Sequence, residues 1–320
     1  MSGMKVIEHL VKAKDPLISF EIIPPKRGGD IGSLLLVVEE LKQFHPPFID
    51  VTSHPAEVYY DETSEGIMRR VKRKRPGTLG ICAVIQHKYG IDAVPHVLCS
   101  GFTREETEDF LIELKYAGIQ NVLAVRGDEN GYVKPLPEGK SRNEYAVDLV
   151  GQIRNMNEGK YLTDLLDVAP TTFCIGVGGY AEKHFMAANL KSDVEQLRAK
   201  VEAGASYIVT QLFYDNAHYF KFVDMCRAEG ITVPIIPGLK VLTSKKQLED
   251  IPRTFFVEIP YELSCAVAGA ESVEDVRRIG VEWAVKQVEG LLNANVPAVH
   301  FYVMQHAKYV TEVLNKVGYR

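Results

Sequence analysis

The chain has 320 residues, a formal net charge of -5 at pH 7, 46% hydrophobic residues and 25% charged residues. These proportions are typical of a globular protein with a large core, and they give no signal for nucleic-acid or membrane binding. The amino terminus has no apolar signal-peptide region, no run approaches the roughly 20 apolar residues of a membrane span, and the five cysteines form no C-x-x-C pair. We therefore expect a cytoplasmic protein.

Short apolar runs alternate with amphipathic segments along the whole chain. The runs predicted to be strands cover residues 17–23, 48–52, 78–85, 121–126, 172–178, 206–213, 233–237 and 298–303. Eight βα units in a chain of this length predict an α/β fold, a (β/α)8 TIM barrel that forms a single domain over residues 1–320. A doubly wound sheet is the alternative, but no G-x-G-x-x-G follows the first strand.

Helix boundaries are marked by recognisable residues. Thr103 and Glu106 match a capping box, and Gly118, Gly204 and Gly230 each follow a helical segment as expected C-caps. The basic run 69–75 is expected to be a solvated helix end that leads into the third strand at the bottom of the barrel. Residues 128–142 are expected to form a loop over the barrel mouth.

Polar residues collect where the predicted strands end. The polar residues in such positions are Glu21, Thr52, His87, Arg126, Asp128, Tyr180, His184, Gln211 and Tyr302. Barrel geometry would bring them to one pocket, which suits a bound cofactor. Each also has an ordinary explanation: Glu21 could be a paired acid, Asp128 a turn residue, and Gln211 a satisfied buried amide.

Two other classes of barrel are compatible with these residues alone. One is a metal-dependent lyase or aldolase, although no H-x-H or H-E-x-x-H motif occurs and no metal site is expected. The other is a pterin- or corrinoid-binding barrel without enzymatic activity.

A set of short motifs, in order along the chain, resembles the methylenetetrahydrofolate reductase family. The motifs are Ser19-Phe-Glu-Ile-Ile-Pro-Pro25, Phe48-Ile-Asp-Val-Thr-Ser-His-Pro55, Leu123-Ala-Val-Arg-Gly-Asp128, Tyr145-Ala-Val-Asp-Leu-Val150, Gly178-Gly-Tyr-Ala-Glu-Lys-His184, Lys200-Val-Glu-Ala-Gly-Ala205, Thr210-Gln-Leu-Phe-Tyr-Asp215, Ile235-Ile-Pro-Gly238 and His300-Phe-Tyr302. The resemblance implies a barrel that holds FAD non-covalently at its mouth and works in one-carbon metabolism. A reduced nicotinamide nucleotide, NADH or NADPH, would reduce the flavin and leave, and methylenetetrahydrofolate would then take its place and accept the hydride in a ping-pong reaction.

The same resemblance assigns roles to individual residues. It implies that Glu21 is the general acid, that Asp128 contacts the pterin close to the flavin, and that Gln211 and Tyr302 bind substrate. The positions matching flavin contacts are Thr52, His96, Val125, Arg126, Gly127, Asp128, Tyr145, Ala146, Tyr180, His184, Asp193 and Lys200.

The chain departs from the family pattern at Ala181, Met186 and Met304–His306, so the contacts there are expected to differ. NADH is the expected nucleotide, because no basic cluster follows the strand ends that would form the substrate face. Little chain follows Tyr302, so the resemblance implies the short bacterial form, without the regulatory domain of eukaryotic relatives and without inhibition by S-adenosylmethionine. It also implies a homo-oligomer.

Overall fold

The computed structural model describes residues 3–127 and 132–319, and it confirms the predicted barrel. Eight parallel strands close on themselves in the order β1-β10-β9-β8-β7-β6-β5-β2. They are β1 (Leu17–Ile22), β2 (Phe48–Val51), β5 (Asp92–Leu98), β6 (Asn121–Val125), β7 (Cys174–Gly179), β8 (Tyr207–Leu212), β9 (Ile235–Leu239) and β10 (Ala298–Met304). Seven of these strands lie on or close to a predicted apolar run.

Helices surround the barrel. They are α1 (Val6–Lys12), α2 (Ile31–Lys42), α3 (Thr78–Val84), α4 (Arg104–Tyr116), α5 (Ala146–Asn157), α6 (Leu190–Ala203), α7 (Asn216–Ala228), α8 (Gln247–Phe255), α9 (Tyr261–Gly269), α10 (Val273–Asn293) and α11 (Lys308–Lys316). The capping box at Thr103 is present, and Gly118, Gly204 and Gly230 all have positive φ, as the sequence predicted. Within the described ranges, no helix is both long and apolar enough to cross a membrane.

The third barrel strand was predicted wrongly. Residues 78–85 form α3 and the start of a π-helical turn, and the strand that pairs with β2 is β5, Asp92–Leu98. Pro95 and two polar residues interrupt β5, so its sequence does not read as an apolar run. One of them, Asp92, is satisfied by Met4 N–H and by the imidazole of His9, contacts that come from a distant segment.

The basic run was also predicted wrongly. Residues 69–75 are not a helix end; most of them belong to β4 (Gly66–Arg73), which pairs with β3 (Ala56–Thr63) in an antiparallel hairpin outside the barrel. The hairpin follows the carboxyl end of β2. Residues at and just after its end contact the segments that follow β2 and β1: Arg73 Nε donates to His54 O at 2.8 Å, and Arg75 donates to Pro24 O at 2.5 Å. The run therefore lies at the mouth of the barrel, not at its bottom.

The opposite end of the barrel is closed by α1. Val6 is fully buried among apolar side chains of the barrel interior, including Phe48, Val94 and Leu123. Its backbone N–H donates to Asn121 Oδ1 at 2.8 Å. Because this end is sealed and packed, polar residues inside the barrel can reach ligands only through the carboxyl-terminal mouth.

Candidate active site

Glu21 is the acidic residue of β1. Its side chain lies inside the barrel, with 8% of the residue's surface exposed. Its Oε2 is 3.4 Å from Nε2 of His96 on β5. Burial raises the pKa of Glu21 to about 7; the charges of His96 and Lys240 oppose this rise, and Asp50 adds to it. A carboxyl group with this pKa can hold a proton near neutrality and release it to a bound molecule.

Tyr302 on β10 faces the same interior. Its hydroxyl donates to the Thr210 carbonyl at 2.5 Å, and its ring meets His300 edge to face at 5.3 Å. Space for the ring depends on Gly238, where a Cβ atom would lie 2.7 Å from Tyr302 and 2.3 Å from the Thr210 carbonyl oxygen. His300 and Tyr302 therefore lie on one face of β10.

Gln211 lies half-buried near the carboxyl end of β8. Strand pairing between β8 and β9 shifts between Val209 and Leu212, so the chain is irregular where this amide is placed. Its side-chain oxygen accepts the N–H of Leu212 at 2.9 Å. The side-chain NH₂ is oriented by that contact, as a residue that reads a ligand must be.

A second group of predicted residues lies on the rim, where β6, β7 and α6 meet. Tyr180 and His184 stack edge to face at 4.6 Å, and Asp193 accepts the His184 backbone N–H at 2.8 Å. Burial lowers the pKa of His184; the nearby charge of Asp193 raises it, and those of Lys200 and Arg126 lower it further. Residues distant in sequence therefore come together as the resemblance implies.

Two cations stand in this rim group. Lys200 Nζ donates to the Gly178 carbonyl at 3.2 Å, and burial lowers its pKa although Asp193 partly offsets that effect. The Arg126 guanidinium lies 5.6 Å from the ring centre of Tyr145, the residue that precedes α5. The set offers positive charge and aromatic faces, which suits an anionic ligand with ring systems.

The other positions matched to flavin contacts surround these residues. Thr52 follows β2 and is buried, with its hydroxyl 3.0 Å from His54 Nε2. Val125 ends β6, Gly127 follows with φ of +85°, and Ala146 is buried at the start of α5. Asp128 lies outside the described residues.

His87 is not at the mouth, contrary to the prediction. It belongs to the π-helical turn Ile85–Tyr89, and its Nε2 is 2.9 Å from the Ala117 carbonyl. Ala117 leads into the amino end of β6, so His87 lies at the other end of the barrel. The error follows from taking residues 78–85 as a strand.

Sequence reasoning missed several members of the interior cluster. Asp50 is completely buried in β2, and its Oδ2 lies 3.6 Å from His96 Nε2. Tyr207 and Ser19 are buried there as well. Asp50 carries the same signal as Glu21, an acid within an apolar strand, and that signal was available in the sequence.

Two cavities open at the carboxyl-terminal mouth of the barrel. One of about 400 Å³ lies between the loops after β5 and β6. A second, of about 230 Å³, lies between the loops after β9 and β10 and includes Tyr302 and Lys240. The mouth therefore offers space beside Tyr302 and Lys240 as well as beside Arg126.

The sequence profile of the family described as methylenetetrahydrofolate reductase matches residues 6–318. A 5,10-methylenetetrahydrofolate reductase of Salmonella typhimurium is 29% identical over 305 residues, covering 95% of this chain and 91% of that protein. A probable methylenetetrahydrofolate reductase (NADPH) of Caenorhabditis elegans is 30% identical over 98% of this chain, which spans only 44% of that protein.

Among solved structures, a Clostridium thermocellum protein has the same fold; it is described as an uncharacterised protein that binds two copies of 5-methyl-5,6,7,8-tetrahydrofolic acid. The TM-score is 0.60, and the match covers 98% of this chain and 99% of that one. Its sequence identity to this chain is 12%, so the likeness concerns the fold alone. The profile match, by contrast, covers every residue in which the motifs were found. This chain belongs to the methylenetetrahydrofolate reductase family.

Proposed function

We propose that this chain reduces 5,10-methylenetetrahydrofolate to 5-methyltetrahydrofolate with electrons from a reduced nicotinamide nucleotide, and that it holds FAD at the barrel mouth. The observation that carries the proposal is Glu21: a barrel of this family presents a buried acid whose pKa is raised to about 7 at the inner end of the mouth. Reduction of a methylene bridge between two nitrogens needs such a proton donor.

The rim group fits FAD in its chemistry. Lys200 and Arg126 supply positive charge for a pyrophosphate, and Tyr145, Tyr180 and His184 supply aromatic faces. Gly127 lets the backbone after β6 take a positive φ without a side chain between it and a ligand. When bound, FAD supplies the two-electron carrier that passes hydride between the two substrates.

In this proposal Glu21 acts during ring opening. The bond between the bridging carbon and one ring nitrogen breaks, its electron pair stays on that nitrogen, and the nitrogen takes the Glu21 proton. The lone pair of the other nitrogen then forms an iminium, which is the acceptor for hydride. A buried acid does this well because burial keeps it protonated until the substrate is in place.

The remaining residues hold the substrate. Gln211 presents an oriented amide to the pterin, and Tyr302 forms the wall beside Glu21. For Asp128 we keep the role that the resemblance implies, a hydrogen bond to the pterin. NADH as the preferred nucleotide and assembly into a homo-oligomer remain predictions.

The test separates the two half-reactions. Purified protein should carry a flavin spectrum, NADH should bleach it without oxygen, and methylenetetrahydrofolate should restore it with formation of 5-methyltetrahydrofolate. A quinone acceptor serves as the control, because it reoxidises the protein without using the folate site. Protein that retains no flavin, or that a quinone reoxidises but the folate does not, would contradict the proposal.

A further inference from the structure

Two histidines lie inside the barrel, and their surroundings shift their pKa values in opposite directions. His300 is buried with its Nδ1 2.9 Å from Ser19 Oγ, and burial lowers its pKa to about 4, so it is neutral at pH 7. Burial also lowers the pKa of His96, but contact with Asp50 and the charge of Glu21 outweigh burial and raise it above the ordinary value of 6.5. His96 is therefore the histidine that can carry a proton here.

The buried carboxylate of Asp50 needs a positive charge beside it, which a protonated His96 supplies. It is completely buried, and neither of its oxygens has a hydrogen-bond partner in residues 3–127 and 132–319. The separation of 3.6 Å from Asp50 Oδ2 to His96 Nε2 is longer than a hydrogen bond and is a contact between charges. A buried carboxylate needs such compensation, and neutral His300 cannot supply it.

We propose that Asp50 is a positioning residue, which holds positive charge on His96 so that Glu21 faces an imidazolium when it gives up its proton. The inference rests on the proposed function in one respect, that Glu21 is the proton donor. Asp50 itself touches no substrate in this arrangement; it acts through His96.

The geometry explains why this arrangement would matter. Once the Glu21 O–H bond breaks and the substrate nitrogen takes the proton, a carboxylate is left inside the barrel. An imidazolium 3.4 Å away stabilises that carboxylate, and Lys240 adds a second positive charge from β9's end. With a neutral His96 the carboxylate would lose one of these two charges, and proton transfer would become less favourable.

The pH behaviour of this cluster involves every ionisable group that faces it. Those groups are Glu21, Cys82, His96, Tyr207, Lys240, His300 and Tyr302. Burial raises the pKa of Cys82, Tyr207 and Tyr302 well above their ordinary values, so these three stay neutral at working pH. The charges that respond to Asp50 are thus those of His96 and Glu21.

The first test measures His96 directly by NMR titration of histidine-labelled protein, with His96→Gln to assign its signal. Asp50→Asn should lower the His96 pKa, because it removes the charge of Asp50 that raises it. Asp50→Ser, which removes the same charge with a smaller side chain, provides a second variant if the first folds poorly. An unchanged His96 pKa in a folded Asp50 variant would overturn the inference.

The second test is kinetic. Asp50→Asn should slow reoxidation by methylenetetrahydrofolate by about tenfold or more, since the effect of a general acid spans about 10²–10⁴-fold, and should leave reduction by NADH unchanged. Equal slowing of both half-reactions would overturn the positioning role. The NMR result needs no substrate, so it stands or falls separately from the proposed function, which fails if Glu21→Gln still reduces the folate at the wild-type rate.

Discussion

His96 Nε2 lies 3.4 Å from Glu21 Oε2, on two strands that are separated by β2 in the barrel. Neither residue belongs to a loop, so the rigid sheet sets the distance between them. The proton on Glu21 is therefore governed by burial and by a small number of fixed charges. Several measurable properties follow from this arrangement.

The folate half-reaction should depend on pH through Glu21. Only the protonated acid can donate, and its pKa is raised to about 7, so the rate should be level below that pH and fall about tenfold per pH unit well above it. Stopped-flow reoxidation by methylenetetrahydrofolate between pH 6 and 9 measures this. A rate that stays level to pH 9 would show that Glu21 is not the group whose protonation limits the step.

Glu21 should also lower stability at high pH. Its pKa is raised in the folded state from 4.5 to about 7, so the fold binds the proton more tightly than the unfolded chain does. Its contribution to the free energy of unfolding is therefore complete below pH 4.5. That contribution is lost as the pH rises to about 7, and the total loss is about 3 kcal/mol. Glu21→Gln should melt higher than wild type at pH 8, with a smaller difference at pH 5.

This stability comparison has a control in Glu39→Gln on α2, an exposed acid outside the barrel. Its melting difference from wild type should not change between pH 5 and pH 8. A Glu21→Gln difference that is equally constant would mean that burial does not shift the ionisation of Glu21.

Lys200 should contribute to binding of FAD. Lys200→Met removes a cation that contacts the Gly178 carbonyl beside the rim aromatics. A charge-assisted hydrogen bond contributes about 1.5–3 kcal/mol, so Kd should rise roughly 10- to 100-fold. Fluorescence titration of flavin-free protein measures it, and Lys191→Met, exposed on the same helix, is the matched control. Equal Kd values for both variants would remove Lys200 from the cofactor site.

NADH should be preferred over NADPH, although the basic run 69–75 does not lie at the bottom of the barrel, as the sequence had suggested. The basic run lies at the mouth, but its charges are engaged: Arg70 pairs with Asp61 at 2.9 Å and Lys74 with Glu57 at 3.4 Å. A lysine at the mouth is engaged as well, since Lys245 donates to the Ala268 carbonyl at 2.8 Å. A 2′-phosphate would have to displace such contacts.

The nucleotide preference is measured as kcat/KM for both nucleotides at low salt. NADH should give the higher value, and Lys245→Ala should change neither value by more than about twofold, because the contact it removes is a surface one. A preference for NADPH of about tenfold that Arg75→Ala abolishes would show that the basic run reads the phosphate.

Most of the barrel was predictable because its buried parallel strands consist of apolar runs and its helices begin and end at recognisable capping residues. The failure at β5 has a physical cause: Asp92 is hydrogen-bonded by Met4 and His9, His96 lies beside two buried carboxylates, and no local pattern records these distant partners. The hairpin was missed because the charged, exposed sequence of β4 resembles a solvated helix end when its partner strand is not recognised.

Part of the interior cluster was predictable from the sequence, but its electrostatics were not. Motif resemblance identified Glu21, His96 and Tyr302; the fold pairs Glu21 with Tyr302 across β1 and β10 and brings His96 to 3.4 Å from Glu21. It could not indicate that His96 lies between two carboxylates while His300 is neutral. Those properties depend on distances across the barrel, which short motifs do not contain.

The central claim is that Glu21 donates the proton for folate reduction and has no part in oxidising the nucleotide. Glu21→Gln keeps the size and burial of the side chain but removes the proton that it can donate. Anaerobic stopped-flow measurement should show reduction by NADH at the wild-type rate and reoxidation by methylenetetrahydrofolate slowed by about 10²–10⁴-fold. Equal slowing of both half-reactions, or an unchanged rate of reoxidation, would contradict the account.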